Sequence, residues 1–372
     1  MPPTTVEPAQ RAEPTHTSPH SGHTPRTGAR RRAAVGLAVV LVASAGAIAL
    51  ALLVGPAHLS LGEALGAIGR RLAGRPGPAS WRDVVVTGVR LPRALVGFLV
   101  GGGLAVSGAA LQGLFRNPLA EPGILGISSG ASLGAVLAIT LGIANRAAAA
   151  LPACAFVGAA GNAVLVFAIA ARSGRGRLFT GTLLLIGVAV AALNISITTF
   201  ILSLALSTYD VGRQVQYWLL GGLEGRTWDH LLIGTPPIVA GAAIVAAHAR
   251  DLDALMLGET AAHSVGVDVP GVRLRVVLAT SVIVGAAVAI AGPIGFIGLL
   301  VPHIIRLAVG PRHGMLVPLS FFGGGVFLVV ADVVARTAIT SAQVPVGVVT
   351  AVVGAPTFLA LLVRKRIGVA GP

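Results

Sequence analysis

The stretch GGGLAVSGAALQGLFRNPLAEPGILGISSGASLG, residues 101–134, decides the fold of this chain. Its first half is apolar and rich in closely spaced small residues, which let a membrane helix approach its neighbours closely. The helix must end near Asn117, because Pro118 restricts the residue before it and cannot continue the helix. A second turn, EPG at 121–123, precedes another apolar segment. The stretch therefore predicts a membrane helix, a turn and a shorter helix.

Composition places the whole chain in the same class. Of 372 residues, 55% are hydrophobic, 11% are charged and 50 are glycine, which is typical of a polytopic helical membrane protein. A net charge of +14 can indicate nucleic-acid binding, but these arginines lie between apolar runs, so we expect no nucleic-acid partner. The one cysteine, Cys154, allows neither an intrachain disulfide nor a thiolate metal site within the chain. We expect no metal and no cofactor.

Apolar runs separated by glycine, proline and charge clusters predict about ten membrane spans. These runs lie at 33–54, 94–115, 124–142, 148–171, 182–206, 231–249, 275–293, 296–309, 315–334 and 346–363. Several are shorter than a full span and predict half-length helices. The predicted fold is all-α, with a membrane domain over 33–366, a disordered cytoplasmic tail at 1–32 and a short tail at 367–372.

The distribution of arginine predicts the orientation. If Arg30 to Arg32 are cytoplasmic, the span count returns the chain to the cytoplasm at further arginine-bearing segments, and both termini are cytoplasmic. Residues 55–93 then lie outside, although they carry several arginines. An acidic partner on the outer face explains this exception. Snorkelling to lipid phosphates is the alternative, and for Arg90 and Arg93 the residues alone leave both explanations open.

The run LPRALVGFLVGGGLAVSGAALQGLFRNPLAEPGILGISSGA, residues 91–131, resembles the signature region of FecCD-type permeases, which belong to ABC importers of ferric siderophores, haem and cobalamin. Further matches lie at 217–228, 252–267, 291–306 and 343–362. The resemblance implies a ten-span permease in a bacterial plasma membrane, paired with a second copy or a paralogue and surrounded by membrane lipid. It also implies separate cytoplasmic ATPase subunits and an extracytoplasmic binding protein. Because ATP hydrolysis is expected in those separate subunits, we expect no enzyme activity in this chain, and the sequence has no GxxxxGK[ST] motif for an ATP site.

The resemblance also implies three groups of site residues. The binding-protein docking group comprises Arg90, Arg93 and Arg336. The inner gate comprises Asn117, Pro118, Leu119, Thr180 and Gly181, which as an alternative are simply turns. The ATPase coupling group comprises Leu255, Leu257, Gly258, Glu259, Ala261, Ala262 and Gly266.

The coupling segment, cytoplasmic helices at about residues 250–268, also has a physical interpretation. Gly258 breaks a helix, and two short helices at an angle form a knob that fits a groove on another protein. A surface helix that merely covers the bundle is the alternative. Thr260 stands where glutamate is commoner in the family, with Glu259 one place earlier, which leaves the individual contact of Glu259 open.

The substrate expected from the resemblance is a ferric siderophore-type chelate, with haem or cobalamin as alternatives. An ion-coupled secondary transporter is the competing class, and it requires ionisable groups at mid-membrane depth. The candidates are His303, Arg306 and Asp332, for which structural roles are favoured. For Asp332, a partner near the outer end of the tenth span, or Arg336 one turn later, would suffice.

Overall fold

The computed structural model describes residues 26–55, 59–74, 80–173, 180–205, 209–339 and 344–367, and within them all regular structure is helical. The first eight helices are α1 Arg26–Leu53, α2 Leu61–Leu72, α3 Trp81–Asp83, α4 Leu91–Leu114, α5 Ile127–Thr140, α6 Ala150–Ser173, α7 Thr180–Ala205 and α8 Tyr209–Leu219. The remainder are α9 Trp228–Ala247, α10 Ala249–Met256, α11 Glu259–Ser264, α12 Val269–Ala291, α13 Ile297–Val309, α14 His313–Thr337 and α15 Val346–Ile367.

The apolar runs of the sequence become membrane-length helices. Within the described residues, 7 helices are long and apolar enough to cross a membrane. Shorter apolar helices lie at Ile127–Thr140, Ile297–Val309 and Val346–Ala360. Each of these helices coincides with one of the predicted runs. The prediction of an all-α polytopic membrane protein with about ten spans is therefore confirmed.

The helix bounds differ from the predicted ones in two places. α1 begins at Arg26, ahead of the predicted start at Ala33, so residues 26–32 of the predicted tail 1–32 belong to this helix. Residues 1–25 and 368–372 lie outside the described residues. The second span is continuous over Trp81–Leu114, with a π-helical turn at Val84–Arg90 ahead of α4. Arg90 and Arg93 consequently lie inside a helix instead of preceding it, because the helix continues through polar residues that end the apolar run.

α4 lies at the centre of the bundle, packed by α9, α12, α13 and α14. Val96, Val100 and Leu111 are among its fully buried side chains. A Cβ built at Gly101 would overlap the carbonyl oxygen of Gly324 on α14. Glycine at this crossing therefore allows direct contact between the two helix backbones, as in other membrane helix pairs.

Half-length α13 begins inside the bundle. A Cβ at Gly108, well within α4, would overlap the backbone of Gly298, the second residue of α13. Phe296, which precedes α13, has φ of 68° and donates its backbone N–H to the carboxylate of Glu121 at 2.7 Å. This contact satisfies a backbone N–H at a partly buried position and ties the turn after α4 to the start of α13.

The bundle has two faces, named here by one residue each. At the Arg90 face, α4 begins, and Arg90 and Arg336 contact the last turn of α1. At the Gly258 face, α4 ends, and the side chain of Arg116 approaches Gly258 between α10 and α11. The predicted docking group therefore lies at the opposite face from the predicted coupling group.

Candidate functional sites

Two of the predicted docking arginines cap the end of α1. Arg90 is 5% exposed, and its Nη1 donates to the carbonyl oxygens of Leu52 at 2.6 Å and Leu53 at 3.2 Å. Nη2 of Arg336 donates to the carbonyl oxygen of Ala51 at 2.5 Å. The last carbonyls of a helix have no partner within it, and cations are favourable at this end of the helix dipole. The two guanidinium groups therefore stabilise α1 at the point where it ends.

The third predicted docking residue, Arg93, forms a two-pronged ion pair with Asp332. Its Nη2 lies 2.8 Å from Oδ1 of Asp332, and its Nε lies 2.9 Å from Oδ2. The two side chains are 15% and 4% exposed, so the pair is largely buried and joins α4 to α14. Of the partners suggested for Asp332 by the sequence, Arg336 donates to the Ala51 carbonyl oxygen, and the observed ion-pair partner of Asp332 is Arg93. The docking role of the three arginines stays a prediction.

A polar cavity of 820 Å³ opens beside this cluster, and the sequence analysis missed it. Its lining includes Asp210, Arg213, Gln214, Tyr217, Trp218, Glu224 and Arg226. The Tyr217 hydroxyl donates to the Glu224 carboxylate. Burial, together with that bond and the Glu224 charge, raises the pKa of Tyr217 to about 12. Burial and the nearby Arg93 charge lower the pKa of Arg226 to about 10.

In the sequence, the one signal for this cavity is a motif that resembles the family. Several of its polar side chains lie within the matched run YWLLGGLEGRTW at 217–228. They converge because α8 leads into a turn at Gly221, whose φ is 68°, and this turn brings Glu224 back to Tyr217.

The first predicted gate segment forms a tight turn at the end of α4. The Asn117 side-chain oxygen accepts a hydrogen bond from the backbone N–H of Leu119 at 2.9 Å, an Asx-type turn completed by Pro118. The second segment, Thr180 and Gly181, begins α7. The chain after Asn117 meets α7 farther on, where a Cβ at Gly126 would lie 3.0 Å from the Gly187 carbonyl oxygen. The gate role of both segments stays a prediction.

The predicted coupling segment forms two short helices, α10 and α11, separated by Gly258 with φ of 117°. Leu255 and Ala262 are buried, while Leu257 is 80% exposed. Ala261 lies beside Ala262 on α11, and Gly266, with φ of 84°, ends the segment. The segment therefore has a buried side that fixes it to the bundle and an exposed apolar tip. We call it the knob, residues 249–266.

Two side-chain contacts tie the knob to long helices. The Asp253 carboxylate on α10 accepts the backbone N–H of His313 at 2.7 Å and lies 2.7 Å from His313 Nδ1. A carboxylate at this position also complements the dipole of α14, which begins at His313. Glu259 of α11 pairs with Arg273 of α12 at 2.6 Å. Sequence reasoning missed Asp253, and the sequence itself carries no signal for this long-range contact.

The candidates for ion coupling do not form a relay. Asp332 is paired with Arg93 at the Arg90 face, whereas His303 and Arg306 lie on α13 toward the Gly258 face. Within the described part of the chain, no cluster of three or more His, Cys, Asp or Glu side chains has the arrangement of a metal site.

Within the described residues, ten apolar helices, with the glycine-rich α4 at their centre and a two-helix knob at one face, define a multi-pass membrane protein. The model of the FecCD transport family matches residues 39–364, so the chain belongs to that family. The family is one of ABC transporter permeases, in which ATP hydrolysis takes place in separate subunits. The resemblance found in the sequence is confirmed.

Two named relatives and one solved structure are similar to this chain over most of its length. The chain is 45% identical over 288 residues to the cobalamin import system permease protein BtuC of Halobacterium salinarum, covering 77% of this chain and 75% of the relative. It is 42% identical over 294 residues to the vitamin B12 import system permease protein BtuC of Salmonella paratyphi A, covering 77% and 87%. A solved metal-chelate type ABC transporter in an inward-facing conformation matches with a TM-score of 0.77 at 30% identity, covering 88% and 98%.

Proposed function

We propose that this chain is the permease subunit of an ATP-driven importer of cobalamin. The observation that carries the proposal is the 45% identity over 288 residues to a permease named for cobalamin import. The relative from Salmonella paratyphi A carries the same substrate in its name. These relatives do not support the siderophore expected from the sequence, and they favour its cobalamin alternative. Similarity to a metal-chelate type transporter leaves another metal chelate as the second candidate substrate.

In the proposed mechanism the Gly258 face is cytoplasmic and the Arg90 face is extracytoplasmic. A loaded binding protein delivers cobalamin at the Arg90 face, and two copies or paralogues of the permease enclose the pathway. ATPase subunits bind the knob, and their closure moves it. Asp253 and Glu259 pass that movement to α14 and α12, because each carboxylate is bound to a residue of one of these helices.

Arg90, Arg93 and Arg336 all have partners within the chain. The proposed docking role requires the same side chains to bind the binding protein as well. Arg93 is the most suitable of the three, because its guanidinium already binds a carboxylate, that of Asp332. A glutamate side chain of the binding protein is able to take the place of that carboxylate. The variant Arg93→Ala/Asp332→Ala removes this arginine without leaving an unpaired charge. If Arg93 docks the binding protein, the double variant stays folded and binds it more weakly than Asp332→Asn does. Equal binding by the two variants would contradict the docking role.

Uptake in whole cells tests the substrate. The chain is expressed with its own ATPase and binding protein in a host that lacks a cobalamin permease, and uptake of labelled cobalamin is measured. Excess unlabelled cobalamin is the positive competitor, and ferric siderophores and haem are the test competitors. The proposal expects uptake that only cobalamin-type compounds compete away. Uptake of a labelled iron chelate, with no uptake of cobalamin, would contradict it.

A further inference from the structure

A cleft of 640 Å³ separates the turn after α4 from α11 at the Gly258 face. Its lining comprises Arg116, Leu257, Gly258, Glu259, Thr260, Ala261 and Ser264. One wall is Arg116, which directly precedes the predicted gate residue Asn117, and the other wall belongs to the knob. Most of the lining side chains are exposed. Whatever fills this cleft touches both elements at once.

The backbone holds Arg116 at the edge of the cleft in an unusual conformation. Its φ is 49°, a region that non-glycine residues seldom occupy. Hydrogen bonds on either side fix this turn, from Arg116 N to Gly113 O and from Asn117 N to Gln112 O, both 3.2 Å long. The guanidinium reaches across toward the knob, where Nη1 would lie 3.8 Å from a Cβ on Gly258. The conformation therefore directs the charge of Arg116 toward the cleft.

The positive charge of Arg116 forms no ion pair with any of the described side chains that line the cleft. The lining contains one carboxylate, that of Glu259, which is bound to Arg273 at 2.6 Å. Among the described residues, Arg116 has no ion-pair partner and donates no hydrogen bond from its side chain. Leu257, 80% exposed, adds an apolar edge beside this charge. The cleft thus presents a free guanidinium next to an exposed apolar side chain.

We propose that this cleft binds an acidic segment of the ATPase subunit, with a carboxylate on the Arg116 guanidinium and an apolar neighbour against Leu257. The inference rests on the proposed function, because it takes the ATPase as the partner at this face. A guanidinium is well suited to bind a carboxylate through two parallel hydrogen bonds. The ATPase then holds the turn that carries Asn117 directly, in addition to the knob.

Charge reversal tests the proposal in the full permease, purified and mixed with its ATPase subunits. Arg116→Glu is expected to weaken ATPase binding at least about tenfold, and Arg116→Lys less, since it keeps the charge but loses the paired geometry. Arg312→Glu is the matched control, because Arg312 is exposed near the same face but does not line the cleft. Unchanged binding by Arg116→Glu would overturn the proposal. Failure of the wild-type permease to bind the ATPase would overturn both the proposed function and this inference.

Cysteine labelling separates a contact from a folding defect. In a Cys154→Ser background, maleimide labelling of Arg116→Cys is compared with that of Arg312→Cys. The proposal expects ATPase binding to protect position 116 and leave position 312 accessible. Equal labelling of position 116 with and without ATPase would overturn it. Protection at 116 in the permease alone would also overturn it, since another part of this chain would then fill the cleft.

Discussion

At the scale of single residues, arginine at the Arg90 face serves the fold before it serves any partner. Arg90 and Arg336 bind carbonyl oxygens at the end of α1, and Arg93 pairs with Asp332. The sequence showed that these charges contradict the usual bias of membrane loops, but it did not show that Arg93 pairs with Asp332. The reason is separation, since Arg93 and Asp332 are 239 positions apart. Only the packing of α4 against α14 brings them together.

The first prediction concerns the Arg93–Asp332 pair. Asp332→Ala leaves a largely buried guanidinium without its counter-charge and should lower the free energy of unfolding by about 3–5 kcal/mol. Denaturant unfolding in detergent measures the loss. Arg93→Ala/Asp332→Ala removes both charges and should recover most of it, because no unpaired charge then remains. A double variant whose loss of stability equals the sum of the losses in Asp332→Ala and Arg93→Ala would contradict this account.

At the scale of helices, the contact of Asp253 with α14 is the step that links knob movement to the bundle in the proposed mechanism. The second prediction is that Asp253→Ala lowers ATP-driven uptake at least about tenfold while ATPase binding and ATP hydrolysis persist, because α14 loses the carboxylate at its first turn. Uptake and ATP hydrolysis are measured on the same proteoliposomes.

Asp251→Ala is the control for that variant, since Asp251 bonds His248, next to α10 itself, at 2.7 Å and ties the knob to no other helix. Its uptake should stay close to that of the wild type. Equal uptake by Asp253→Ala and the wild type would remove Asp253 from the coupling path. Equal losses in the two aspartate variants would show that the effect belongs to α10 as a whole.

The third prediction concerns the crossing of α4 and α14. Gly101→Ala places a methyl group against the backbone of Gly324 and should cost about 1–3 kcal/mol, since a tightly packed interior must move to accept added atoms. Gly161→Ala on α6, where a Cβ meets nothing within 4 Å, is the control and should be neutral or slightly stabilising. Melting temperatures in detergent compare the two. A melting temperature for Gly101→Ala equal to that of the control would contradict close packing here.

Helices themselves were largely predictable from sequence, whereas their starts and contacts were not. Apolar runs determine where a chain is able to cross lipid, so each predicted run became a helix. The helix start at Trp81 was missed, because the Val84–Arg90 turn mixes polar and apolar residues as surface loops do. The predicted break at Gly258 matches a positive φ that favours glycine. The site contacts of Glu121, Asp253 and Glu259 depend on tertiary packing, so they could not be predicted from this sequence alone.

At the scale of the whole molecule, the family was recognisable from motifs spread along the chain, but the substrate was not. A large chelate crosses such a permease through weak contacts, so few side chains distinguish one substrate from another. The siderophore expectation followed from the family as a whole, and similarity over 288 residues to a cobalamin permease now favours cobalamin. The polar cavity lined by Tyr217 and Arg226 was also not predictable, because the spans were predicted from apolar runs and this cavity is lined by polar side chains outside them.

The central claim is ATP-driven import of cobalamin through this chain. The most direct measurement is uptake of labelled cobalamin into proteoliposomes that contain the permease with its ATPase subunits, with loaded binding protein on the opposite side from ATP. The account predicts accumulation that requires both ATP and the binding protein and that persists when ionophores abolish all ion gradients. Accumulation driven by an ion gradient without ATP would contradict it, as would ATP hydrolysis stimulated by the binding protein with no cobalamin transported.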